Sequence, residues 1–79
     1  MKPHRADISD LEKYANACER ASQGKFKLVE RQNIANSKAI KFTPEQIAVD
    51  QLLGEQLLAA AHYLRARASD LTSQRERAA

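Results

Sequence analysis

The sequence predicts a mainly α-helical protein. Two antiparallel helices, over about residues 8–23 and 44–71, are expected to flank a small β-hairpin or a short irregular segment, with α-β-β-α as the order if the hairpin forms. Three observations carry this expectation. Thr43-Pro44-Glu45-Gln46 has the form of a helix start, apolar residues recur at spacings of three and four in both halves of the chain, and residues 25–42 alternate polar and apolar over short stretches. The chain divides into a flexible arm (1–6), one small domain (7–71) and a frayed polar tail (72–79).

The first helix is justified by its ends and its stripe. Asp7 is a candidate N-cap, Ser9-Asp10-Leu11-Glu12 a candidate capping box, and the acidic residues of the first turns suit the positive end of the helix dipole. Ile8, Leu11, Ala15 and Cys18 form one apolar line, which Tyr14 and Ala21 widen. Gly24 is expected to end the helix in a left-handed conformation.

In the middle, Lys25-Phe26-Lys27-Leu28 and Lys38-Ala39-Ile40-Lys41-Phe42 read as two half-buried strands, with Asn33, Asn36 and Ser37 as turn formers between them. A short helix over 29–36 is the alternative.

The second helix has the clearest start. Thr43 and Gln46 can bond reciprocally, Pro44 falls where a missing N–H costs nothing, and Phe42 with Ile47 can close a hydrophobic staple. Val49, Leu53, Leu57, Ala60, Ala61, Leu64, Ala68 and Leu71 share one side at 100° per residue. That stripe, best taken as Leu53, Leu57, Ala60, Leu64 and Leu71, is the part the first helix can cover. Leu52, Ala59 and Tyr63 then lie on another flank, of which the hairpin residues Phe26, Leu28, Ile40 and Phe42 can cover the N-terminal end without reaching Tyr63, and are expected to face another chain. Gly54 inside this helix either permits close approach of a neighbour or is neutral.

Composition narrows the function. A single domain of this size usually needs a disulfide, a metal or a partner chain. One cysteine excludes an internal disulfide, so association is expected. Cys18, His4 and His62 are the only Cys and His residues and no two lie three or four apart, so no metal site is expected. Cys18 lies on the apolar stripe and reads as a small buried side chain, with His62 as its only base in prospect. With two glycines there is no phosphate-binding loop, and the carboxylate pairs sit near helix starts for dipole reasons, so neither an enzyme nor a cofactor is expected. Met1–Asp7 has no apolar leader and the longest apolar run, 57–61, is far below the ~20 residues of a membrane span. The expected location is therefore cytoplasmic, with no membrane contact.

The formal charge of +3 is mild, but residues 24–42 are distinctly basic. Lys25, Lys27, Arg31, Lys38 and Lys41 on a hairpin could contact nucleic-acid phosphates, although the modest net charge favours a solvated strand face. Gly24-Lys25 after the first helix and Ile40-Lys41-Phe42-Thr43 before the second give an order of elements that resembles the small head–tail joining proteins of lambda-like phages over about half the chain. This is an order of element types, and no residue roles follow from it. The expected function is a non-enzymatic protein–protein interaction module (an inhibitor, adaptor or assembly factor) acting as a homo-oligomer or by docking the second helix on a partner protein. The alternative is a small basic nucleic-acid-binding regulator that uses residues 25–41.

Overall fold

The computed structural model describes the backbone of residues 5–39 and 41–78, with side chains from Ile8 onward. Two helices account for nearly all of it: α1, Arg5–Lys38, and α2, Pro44–Ala78. They pack antiparallel along their length into a rod with extents of 61 × 20 × 14 Å. Most of the arm expected over 1–6 lies outside the described residues, with Arg5 and Ala6 already in α1.

The expected β-hairpin is absent. Among the described residues there is no strand, and Lys25–Lys38 continues α1 without a break. Gly24 does not end the helix, since no glycine has a positive φ. A glycine in a helix interior costs only about 1 kcal/mol against alanine, which the neighbouring turns and the packing of a long helix outweigh. The alternation at 25–28 is too short to set a period. The residues on either side of it follow a seven-residue spacing instead, because Val29 lies one heptad after Ser22 and both are buried. The length of α2 supplies the physical reason. A first helix ending at 23 would leave the opening turns of α2 with no surface to pack on. The expected helix limits of 8–23 and 44–71 are corrected accordingly to Arg5–Lys38 and Pro44–Ala78. The helix weighed as the alternative over 29–36 is present as part of α1.

Asn36 closes the connector. Its Oδ1 accepts from the backbone N–H groups of Lys41 (2.9 Å) and Phe42 (3.0 Å), and its Nδ2 donates to the Phe42 carbonyl (2.9 Å). One side chain thus satisfies three backbone groups that the turn would leave open. At the start of α2 the Gln46 N–H donates to Thr43 Oγ1 (3.1 Å), and the Ile47 N–H makes the first helical bond to the Thr43 carbonyl (3.2 Å). The Thr43 half of the capping box therefore forms as the sequence predicts.

The contact between the helices is a seam of small residues one heptad apart. Ala15, Ser22 and Val29 are buried on α1, and Gly54, Ala61 and Ala68 on α2. A seven-residue repeat keeps one line of each helix facing its partner. The helices meet tightly at Gly54: a Cβ there would stand 2.8 Å from Phe26 Cε1 and 3.2 Å from Lys25 Cβ. Gly24 has nothing within 4 Å.

The two glycines therefore make opposite predictions. Gly24→Ala should stabilise the protein by about 1 kcal/mol through helix propensity. Gly54→Ala has the same propensity gain, but its methyl must displace an aromatic ring, and a net loss of about 1–2 kcal/mol is expected from overpacking. Urea melts of both variants check this; equal effects would show that the helices do not meet at Gly54.

Candidate functional site

The seam leaves the large apolar side chains outside it. Gln32 apart, no buried side chain among the described residues is larger than valine. At 100° per residue the seam divides the hairpin surface into two flanks and two outward ridges. Polar contacts identify the flanks. On the first, Lys25 Nζ lies 3.5 Å from Asp50 Oδ1 and Gln32 Nε2 donates to Asp50 Oδ2 at 2.8 Å. On the second, Arg65 donates to Glu19 Oε1 at 2.7 Å and to Asn16 Oδ1 at 3.0 Å.

The first flank is apolar along most of its length. From α1 it takes Leu11, Tyr14, Cys18, Ala21 and Leu28. From α2 it takes Leu53, Leu57, Ala60, Leu64 and Leu71, with Val49 at its edge. Leu57, Leu64 and Leu71 are half-buried, Leu53 is 39% exposed and Tyr14 is 62% exposed. The leucine stripe of α2 that the sequence assigns to the contact with the first helix is therefore turned toward this flank. Small side chains let two helices approach more closely than leucines do, so Gly54, Ala61 and Ala68 take the contact line and the leucines lie to one side of it.

The other sequence-derived sites fall elsewhere. Leu52, Ala59 and Tyr63 stand together on the outward ridge of α2, all exposed, with Leu52 at 52% and Tyr63 at 68%. Lys25 turns to the apolar flank beside Asp50, while Lys27, Arg31 and Lys38 point outward from α1. Lys41 is exposed in the connector. The outward ridge of α1 also carries Lys13 and Arg20, which the sequence reading left out because it assigned them to a different element from residues 25–41.

Cys18 is half-buried on the first flank and His62 is exposed on the second, so the thiol and its one prospective base do not meet. His4 lies outside the described residues. Among the described residues, no group of three or more His, Cys, Asp or Glu side chains is placed to hold a metal ion, and no helix is long and apolar enough to cross a membrane. A hollow of about 470 Å³ on the second flank, bordered by Glu12, Asn16, Arg65, Ser69, Thr72 and Glu76, is open to solvent.

In comparisons with known proteins, no family model, no curated protein and no solved structure matches the chain. With the hairpin absent as well, the element order that suggested the phage joining proteins has no counterpart in the fold.

The two polar clusters should differ in weight. Gln32 is 2% exposed and Asp50 is its side-chain partner, so Asp50→Ala leaves a buried amide unpaired and should cost about 1–3 kcal/mol. The Arg65–Glu19 pair is more than a third exposed on both sides, and Glu19→Ala should cost under about 1 kcal/mol. Chemical denaturation of the two variants reads the difference directly; equal costs would refute this ranking of the two clusters.

Proposed function

We propose that the protein is a non-enzymatic interaction module that works as a homo-oligomer, with a second copy closing the apolar flank into a four-helix bundle. The observation that carries this reading is surface area. The hairpin exposes 6095 Å². A compact protein of its 8.9 kDa mass exposes about 4,800 Å². The excess of about 1,300 Å² is larger than the roughly 800 Å² that each partner buries in a standard interface.

Chemistry along the flank supports the same occupant. Ala21 and Ala60 lie near its midpoint and leucines lie toward both ends, so two copies related by a two-fold axis would meet at a small-residue waist with leucines on either side. The Lys25–Asp50–Gln32 cluster at the connector end adds a polar mark to an otherwise apolar surface, a device that helical assemblies use to fix register. In this arrangement the outward line of Leu52, Ala59 and Tyr63 remains free, and it is the surface proposed for a target protein. The module would then serve as an adaptor, inhibitor or assembly factor in which association builds the scaffold and α2 presents the contact.

Light scattering after gel filtration tests the reading. The expected parent mass is twice 8.9 kDa. Leu53→Glu, at a position already 39% exposed, should weaken association at least tenfold with helicity retained by circular dichroism. Tyr63→Glu should leave the dimer intact. A parent that stays monomeric at high concentration would overturn the proposal, and a dimer lost in Tyr63→Glu but kept in Leu53→Glu would move the interface to the outer line of α2.

A further inference from the structure

The ridge of α1 that faces away from α2 carries a row of cations. Lys13, Arg20 and Lys27 are seven residues apart, Arg31 and Lys38 are seven apart, and the second set follows the first by one turn. All five are exposed and point within about 40° of one another, over roughly 37 Å of helix at 1.5 Å per residue. Of the carboxylates of α1 with described side chains, Glu12, Glu19 and Glu30 are turned toward the second flank, and Asp10 lies on the Arg31–Lys38 line three heptads before Arg31, at the end of the ridge just before Lys13. The ion pairs among the described residues are Lys25–Asp50 and Arg65–Glu19, so none of the five ridge cations is in one. Lys27 and Arg31 stand at i and i+4, a like-charge spacing that weakens a helix and that no contact among the described residues offsets.

We infer that this ridge is a binding surface for the phosphate backbone of double-stranded nucleic acid. A narrow row of fixed cations matches a linear array of phosphates, and arginine at Arg20 and Arg31 adds paired donors suited to phosphate oxygens. An anionic bilayer fits less well, because helices that lie on membranes insert several large apolar side chains and this ridge carries one, Ile34, seven residues after Lys27. With no base-reading element on the ridge, the binding is sequence-independent. The inference does not rest on association through the apolar flank, which leaves the ridge exposed.

Fluorescence anisotropy with a labelled duplex of mixed sequence, titrated across a potassium chloride series, tests it. If all five cations contact phosphates, log K should fall linearly against log salt with a slope of about −4.5. Changing Lys27, Arg31 and Lys38 together to Gln should make that slope shallower by about 2.7, with helicity kept because all three are exposed. Lys25→Gln, on the flank, should leave the slope nearly unchanged. No binding at low salt, a triple variant that binds like the parent, or retention by phosphatidylserine vesicles without retention by the duplex would each overturn the inference.

Discussion

The close approach of two helices along a line of small side chains is the constraint on which the rest of this structure depends. Alanine, serine and glycine at heptad spacing bring the backbones together where leucine would hold them apart. The gain is contact between long stretches of main chain and the stems of neighbouring side chains. The cost is that the larger apolar side chains are displaced to the sides of the contact. Phe26 sets its ring over Gly54 at the seam, and it fits there because no methyl is present. Ser22 shows the other side of the same constraint, since its hydroxyl is buried in the seam without a hydrogen-bond partner. A small group is tolerated there even when its polarity is not satisfied.

A seam of this kind fixes the distance between helices better than it fixes their alignment, because small residues seven apart present much the same surface after a slip of one heptad. Alignment comes from groups that are not repeated. Asn36 binds both ends of the connector, Asp50 reaches Gln32 and Lys25, and Arg65 reaches Glu19 and Asn16. These contacts are spread along the rod, one set on each flank and one at the turn, so a shift of α2 along α1 would break all three. Polar groups therefore specify a pairing that the apolar contact alone would leave degenerate.

Much of α2 could be read from the sequence, because its start is encoded by local chemistry: a threonine that caps, a proline that fits the first turn, and a hydrogen bond from Gln46 to Thr43. The middle of the chain could not be read in the same way. Gly24 has the features of a helix stop when judged alone, and the alternation after it has the features of a strand. Both local signals are weak beside the presence of a second helix long enough to pack against residues 25–38, and that presence is a tertiary fact. The contact line is displaced from the leucines of the α2 stripe toward its Ala61 and Ala68 for a related reason. Ranking faces by hydrophobicity favours leucine, whereas the closest helix contact favours the smallest side chains, so the contact line lies to one side of the leucines. The cationic ridge was only partly legible, since Lys13 and Arg20 join Lys27, Arg31 and Lys38 only once α1 is continuous.

The connector closed by Asn36 also sets the order in which the molecule can assemble. Asn36 and Phe42 are six residues apart in sequence, Gln32 and Asp50 eighteen, Lys25 and Asp50 twenty-five, and Glu19 and Arg65 forty-six. Each contact, once made, shortens the free loop that the next must close, so the entropy of closure is spread over small increments. Such a chain zips from its turn toward its ends, and contacts of growing separation need not be found by a long search. The reverse process begins at the end of the rod that holds Leu11 and Leu71, where the loop to be closed is longest. Transient opening, proteolytic nicking and exchange of a helix with a neighbouring molecule are thus concentrated at the end of the rod opposite the turn.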